Sequence, residues 1–163
     1  MKTIGLLSDT HNHLDEKFFE FFSNCDEIWH AGDIGSVALA DKLASFKPLR
    51  AVSGNIDDYS TRLQYPESLR FTIENTDVLI NHIGGYPGKY SPSVKQIFAQ
   101  NPPDLFVCGH SHILRVIYDK KFNCLTLNPG AAGQYGAQAV RTALRFKLDA
   151  GNIEDLEIFE LER

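Results

Sequence analysis

Ser8-Asp-Thr-His-Asn-His13 follows directly on the apolar run ending at Leu7, so an aspartate and two imidazoles sit at the tip of a buried strand. The event recurs. His30-Ala-Gly-Asp33 and Ser53-Gly-Asn55 each follow an apolar run, Asn81-His82-Ile-Gly-Gly85 ends a hairpin, and Gly109-His-Ser-His112 ends a later strand. Asp9, His11, Asp33, Asn55, His82, His110 and His112 combine imidazole with hard oxygen donors and no thiolate. That mixture suits divalent manganese, iron, zinc, cobalt or nickel. The i, i+2 pairs Asp9/His11 and His110/His112 would each share one side of an extended segment. Seven donors exceed one ordinary site and suit two ions sharing a carboxylate, with Asp33 or Asp9 as the bridge. Turn chemistry accounts for Gly32-Asp33 or Gly54-Asn55 taken singly. It does not account for four of six histidines gathering in these stretches.

Such tips need strands to carry them and helices to cover the strands. Lys2–Leu7, Glu27–Trp29 and Leu49–Val52 are apolar runs of the kind that fill buried parallel strands. Leu14–Ser23 carries Leu14, Phe18, Phe21 and Phe22 at helical spacing, and Val37–Phe46 repeats the pattern with Val37, Leu39, Leu43 and Phe46. Strands and helices alternating over short connections specify a right-handed parallel arrangement. Then the rhythm changes. Leu69–Glu74 and Asp77–Asn81 read as a hairpin turning at Asn75-Thr76, and Ser91-Pro92 starts a helix reaching about Gln100. Leu105–Cys108, Ile113–Tyr118, Cys124–Leu127, Ala139–Leu148 and Ile153–Leu161 read as strands. Asp57-Asp58 reads as a polar turn, and Gly84–Tyr90, with Tyr86, Lys89 and Tyr90, as a loop able to shape a pocket beside His82. The expected result is a single α/β domain over residues 1–163, with two mixed sheets packed together and helices outside. Its ligands would bind beyond the carboxyl ends of the strands.

The 163 residues are 43% hydrophobic and 23% charged, ordinary values for a globular chain. The net charge of −5 and scattered basic residues oppose a general nucleic-acid binder. No apolar run approaches the roughly 20 residues that span a bilayer, and no signal-peptide core precedes Ser8. The expectation is a cytoplasmic protein with no membrane partner. Cys25, Cys108 and Cys124 are too far apart for a Cys-x-x-Cys zinc site, and Cys108 reads as a buried apolar residue. His13 and His30 fall outside the ligand pattern. His13 is an auxiliary candidate for a substrate phosphate or a proton, and His30 a core or supporting residue. Phe18, Phe19, Phe21 and Phe22 exceed one helical face, which leaves one or two for a subunit contact. A homo-oligomer is not otherwise legible.

The order Asp-x-His, Gly-Asp, Gly-Asn, His, Gly-His-x-His, from Ser8 to about Gly133, resembles the calcineurin-like metallophosphoesterase superfamily. The short length and Asn128-Pro-Gly130 resemble its small bacterial and archaeal phosphodiesterase branch. The resemblance implies a four-layer α/β/β/α sandwich. It implies that Asp9, His11, Asp33 and His112 hold one divalent ion and that Asp33, Asn55, His82 and His110 hold another. Asp33 would bridge, and a water or hydroxide between the ions would be the nucleophile. Manganese is the first candidate metal, with zinc, nickel, iron or cobalt as alternatives. Many family members carry Gly-Asn-His-Asp or Gly-Asn-His-Glu, whose histidine serves the leaving group; this chain reads Gly54-Asn-Ile56-Asp57. Isoleucine donates no proton, so the resemblance implies a phosphodiesterase favouring small diesters with acidic leaving groups. The family also resembles the retromer scaffold subunit of eukaryotes, which makes a partner-binding scaffold the rival expectation. A nuclease, needing a groove for a polymer, fits the small acidic chain less well.

Overall fold

The computed structural model describes Met1–Arg163. The first half runs β1 (Lys2–Leu7), α1 (Glu16–Phe21), β2 (Glu27–His30), α2 (Val37–Phe46), β3 (Leu49–Ala51) and α3 (Tyr59–Gln64). Next come β4 (Ser68–Ile73), β5 (Thr76–Asn81), β6 (Gly85–Tyr86), β7 (Lys89–Tyr90) and α4 (Pro92–Gln100). The chain finishes with β8 (Leu105–Val107), β9 (Leu114–Asp119), β10 (Cys124–Pro129), β11 (Val140–Asp149) and β12 (Asn152–Glu162). Caps agree with composition: the Asp15 and Ser36 side chains accept the Lys17 and Leu39 N–H groups at the starts of α1 and α2.

Two five-stranded mixed sheets result, ordered β12-β11-β1-β2-β3 and β4-β5-β8-β10-β9. In the first, β1, β2 and β3 run parallel, while β11 and β12 return antiparallel. In the second, β5, β8 and β10 run parallel between antiparallel β4 and β9. Strand alternation divides the apolar residues between two cores. From β1, Ile4 and Leu6 enter the core between the sheets, where Val78 and Ile80 of β5 and Leu105 and Val107 of β8 meet them. Leu7 faces the other way and meets Phe18 and Phe22 of the α1 region and Leu43 of α2. Likewise Leu79 and Phe106 leave the intersheet core to cover Val94 and Phe98 of α4. Helices therefore lie outside both sheets, and the α/β/β/α sandwich stands. No helix is long and apolar enough to cross a membrane.

Some details differ from expectation. The β4–β5 turn falls on Glu74-Asn75, both with left-handed φ (50° and 60°), and Ile73 pairs with Thr76. That is the twist a two-residue hairpin prefers. Phe21 is no free surface residue: it stacks on Phe159 with centroids 4.9 Å apart and lies 4.4 Å beneath the Arg145 guanidinium. Phe18 and Phe22 are fully buried. The phenylalanines of this segment thus belong to the chain's own core. All three cysteines are buried and free.

Candidate metal centre

The C-terminal ends of β1, β2, β3, β5 and β8 deliver the seven residues. Short backbone bonds stitch the ends together: Asp9 N–H donates to Gly32 O, His11 N–H to Asp33 O, both at 3.0 Å, and Gly109 N–H to His82 O at 2.9 Å. Five of the seven positions have left-handed φ: Asp9 (53°), His11 (46°), Asp33 (56°), His110 (70°) and His112 (62°). Each such non-glycine residue costs about 1–2 kcal/mol, and strain of this kind concentrates at functional sites. The i, i+2 pairs therefore arise from tight turns and not from extended segments. Asp9 and His11 do share a cluster, whereas His110 and His112 part company into two. A Cβ on Gly109 would strike Ser8 Oγ and lie 2.7 Å from Asp9 Oδ2, so only glycine lets β8 end against β1.

Asp9, His11 and His112 form one cluster of candidate ligand atoms, and Asp33, His82 and His110 a second; within each, the atoms lie within 4.8 Å of one another. Asp33 Oδ2 joins them, 3.5 Å from His11 Nε2 and 3.2 Å from His82 Nε2. Its other oxygen accepts the Ile56 N–H at 3.0 Å. Asn55 Oδ1 lies 3.0 Å from His110 Nδ1, which puts it beside the second cluster. Asp9 divides its labour in the same way. Oδ2 accepts from Ser8 Oγ at 2.6 Å and His110 N–H at 3.0 Å, while Oδ1 faces His112 Nε2 at 3.2 Å.

Tautomers follow from fixed partners. Ala31 O can only accept, so the His82 ring donates from Nδ1 (2.8 Å) and directs Nε2 at Asp33. Gln138 Nε2 donates to Tyr135 O at 2.7 Å, which turns its Oε1 to accept from His112 Nδ1 at 3.1 Å. His112 Nε2 is left facing Asp9. With neutral rings lone pair meets lone pair, a conflict that a metal cation between them, or a proton on the ring, relieves. Asp9 Oδ1, His11 Nε2 and His82 Nε2 are buried without a hydrogen-bond partner, an arrangement that ordinarily costs about 1–3 kcal/mol per atom. The electrostatics agree. Burial would raise the Asp9 pKa, yet His11, His112 and His82 hold it well below the usual carboxylate range. Burial would lower His82, yet Asp33 and Asp9 raise it. Two carboxylates asking for positive charge between themselves and four imidazoles fit divalent cations by donor chemistry and by these orphaned atoms.

Several further residues hold the ligands in place, and one of them, Gln138, carries no sequence signal. Gln138 reaches His112 from 26 residues away. Asn128 donates to Gly109 O at 3.0 Å and Ser111 Oγ at 3.1 Å, which holds the turn carrying His110. His30 is fully buried; Gly32 N–H donates to its Nδ1 at 3.1 Å, so Nε2–H donates to Thr10 Oγ1 at 3.0 Å. Its role is to brace the Asp9 and Asp33 turns, as a supporting histidine. His13 is exposed on the turn after His11 and belongs to neither cluster. Asp57 is not a solvated turn residue but 5% exposed, and Asp58 caps α3 by accepting the Thr61 N–H.

Two clefts open beside the second cluster. One, of about 470 Å³, is lined by Asn55, His82, Arg62 and Ser93; the other, about 250 Å³, by His110, Ser111, Tyr86, Lys89 and Arg115. Ile83 and Ser91 belong to both. The Gly84–Tyr90 segment is ordered as the β6–β7 hairpin, and Tyr90 turns inward to donate to Asp119 Oδ2 at 2.7 Å.

An α/β/β/α sandwich with a carboxylate-imidazole cluster at its strand ends defines a class of metal-binding hydrolase folds. The family is shown by comparison: the calcineurin-like phosphoesterase superfamily domain matches residues 1–151, and the chain belongs to that superfamily of phosphoesterases. A probable metallophosphoesterase of Methanothermobacter thermautotrophicus is 30% identical over 135 residues, covering 78% of this chain and 76% of that protein. Among solved structures, an archaeal phosphodiesterase superposes with a TM-score of 0.79 at 21% identity, covering 98% and 99% of the two chains. Vps29 of Entamoeba histolytica complexed with Zn²⁺ gives 0.74 at 15% identity over 98% of both chains. Both likenesses establish the shared fold.

Proposed function

We propose that this chain is a dinuclear metal-dependent phosphodiesterase acting on small phosphate diesters. The observation that carries the reading is the pair of imidazole Nε2 atoms, of His82 and His112, each aimed at a carboxylate oxygen 3.2 Å away. Asp9, His11, His112 and Asp33 would hold one ion, and Asp33, Asn55, His82 and His110 the other, manganese being the first choice. Bound there, divalent ions supply Lewis-acid activation of a water and of the phosphoryl group for in-line displacement. The chain's own groups do the rest. Asp33 Oδ2 ties the clusters, the Ala31 carbonyl and Gln138 hold two imidazoles in the ligating tautomer, and the two clefts receive the ester substituents.

No imidazole stands at Ile56, whose side chain is 45% exposed while its N–H is spent on Asp33. The leaving group must therefore depart on its own acidity, and a missing general acid is worth about 10²–10⁴ in rate. The test uses metal-stripped protein restored in turn with Mn²⁺, Zn²⁺, Ni²⁺, Fe²⁺ and Co²⁺, with bound metal counted. Bis(4-nitrophenyl) phosphate should turn over at least 100-fold faster than a simple alkyl monoester. Ile56→His should narrow that gap by about 10–100-fold, and His13→Ala reads out any auxiliary role of the exposed imidazole. Metal-loaded protein that cleaves no diester, or prefers the alkyl monoester, would defeat the proposal.

A second reading has one observation in its favour. Ile56, Ile83 and Ile113, each next in sequence to Asn55, His82 and His112, are 45%, 46% and 51% exposed, apolar side chains of the sort a protein partner covers. A scaffold of this kind would bind metal yet show no turnover in the same assay.

A further inference from the structure

We propose that Arg115, with Lys89 and Tyr86, forms a subsite for a second, unreacting phosphate, so that the preferred substrate is a diester bearing an additional terminal phosphate. The inference rests on the hydrolase reading and extends it to substrate class. Six of the chain's arginines donate to carboxylates or carbonyls of the protein: Arg50 and Arg145 to glutamates, Arg70 to Asp77, Arg62 to a loop, Arg141 and Arg163 to carbonyls. Arg115 alone makes no such bond. It is half-buried, with its guanidinium 4.0 Å from the Tyr86 ring centroid. The ring supports the fork from one side while its N–H groups have no protein acceptor, the state in which arginine takes a phosphate bidentately.

The hairpin makes the second cation part of the same construction. Tyr86 and Lys89 are register partners in β6–β7, so their side chains leave the ribbon on one face. Pro87-Gly88, with Gly88 at φ 87°, closes the turn, and the Tyr90–Asp119 bond anchors the ribbon to β9, the strand that carries Arg115. The cleft of about 250 Å³ that these residues line has no aspartate or glutamate in its wall, in a chain with 21 acidic residues. His110 and Ser111 close it on the side of the metal centre. A diester phosphate carries one negative charge and is claimed by the metal centre. Two cations one wall further along suit a terminal phosphate, which carries about −1.5 to −2 at neutral pH. The larger neighbouring cleft, joined through Ile83 and Ser91, is free for the other substituent.

Two dinucleotides test this, ApA and its 5′-phosphorylated form pApA, which share the scissile diester and differ by one terminal phosphate. With Mn²⁺-restored enzyme, kcat/KM for pApA should exceed that for ApA about tenfold, roughly 1.4 kcal/mol of discrimination. Arg115→Met should bring the ratio near one, Lys89→Met should lower it by about threefold, and Arg115→Lys should restore part of it. A ratio near one in the unmodified protein, or a ratio that Arg115→Met leaves intact, overturns the subsite. A second measurement is independent of turnover. In EDTA, AMP titrated calorimetrically should bind about tenfold more weakly to Arg115→Met than to the unmodified protein, with thermal midpoints confirming that both are folded. If neither dinucleotide is cleaved while bis(4-nitrophenyl) phosphate is, the hydrolase reading stands, and the AMP titration alone decides the subsite: equal binding by both proteins rejects it.

Discussion

Asp57 shows how much a single side chain holds together. Its two oxygens accept the N–H groups of Ile34 (3.2 Å), Gly35 (2.9 Å) and Gly54 (2.8 Å), so one buried carboxylate pins the turn after Asp33 to the turn before Asn55. Asp57→Ala strands three backbone donors in the interior. It should cost about 3 kcal/mol or more in urea unfolding and deplete the second metal position in a metal count. Asp57→Asn, whose amide offers one oxygen, should fall between the two. Sequence reading takes Asp57-Asp58 for a polar turn because two adjacent aspartates after Gly-Asn are turn chemistry. The partners that give Asp57 its role lie 22 and 23 residues back along the chain, a separation without any periodicity to read.

Among the elements, α3 is the one that sequence periodicity misses, and its composition explains why. Tyr59 and Leu63 are 75% and 69% exposed, and only Thr61 is buried, so the helix has no apolar stripe to announce it. What α3 supplies is Arg62. Its Nε donates to Asp57 O at 2.8 Å, and Nη2 to Gly54 O at 3.1 Å and Asn55 O at 3.3 Å, clasping the carbonyls that flank Asn55. Arg62→Met should weaken metal affinity at the Asn55 cluster by about tenfold, the usual order for a residue that orients a ligand. The Asp9-His11-His112 cluster should be less affected. Competition titration with a chromophoric chelator resolves the two affinities. The β6–β7 hairpin escapes sequence reading for a related reason: two-residue strands are shorter than any alternation that could mark them.

At the scale of the whole molecule, buried His30 links the site to stability. Burial pushes its pKa down to about 4, against an ordinary value near 6.5. Its neutral form is built into the fold, because Nδ1 must accept the Gly32 N–H. Between about pH 6.5 and 4 the unfolded chain takes up a proton that the folded chain refuses. The stability from this residue is therefore complete above pH 6.5 and is lost as pH falls toward 4, a change of about 3 kcal/mol. Urea unfolding of the metal-free protein against a His30→Gln variant should show the stability gap between them shrinking by about that amount over this window. A constant gap would mean that His30 is not held neutral.

Sequence alone determined the longer strands, the pair of mixed sheets and the candidate residues at the strand ends, because alternation and helical spacing repeat in register with the backbone and donor chemistry is written in residue type. Asp9-x-His11 and Gly109-His-x-His112 were legible as donor-rich stretches directly after apolar runs. The family resemblance already implied that His110 and His112 serve different ions and that Asp33 bridges. Only the tertiary structure decided which atoms face which: that Asp33 Oδ2 joins the clusters while Oδ1 takes the Ile56 N–H, that Gln138 sets a tautomer, and that Arg115 is left without a partner. Those facts depend on left-handed turns and on contacts between distant segments. Direction and distance at such points come from packing, which no spacing along the chain encodes.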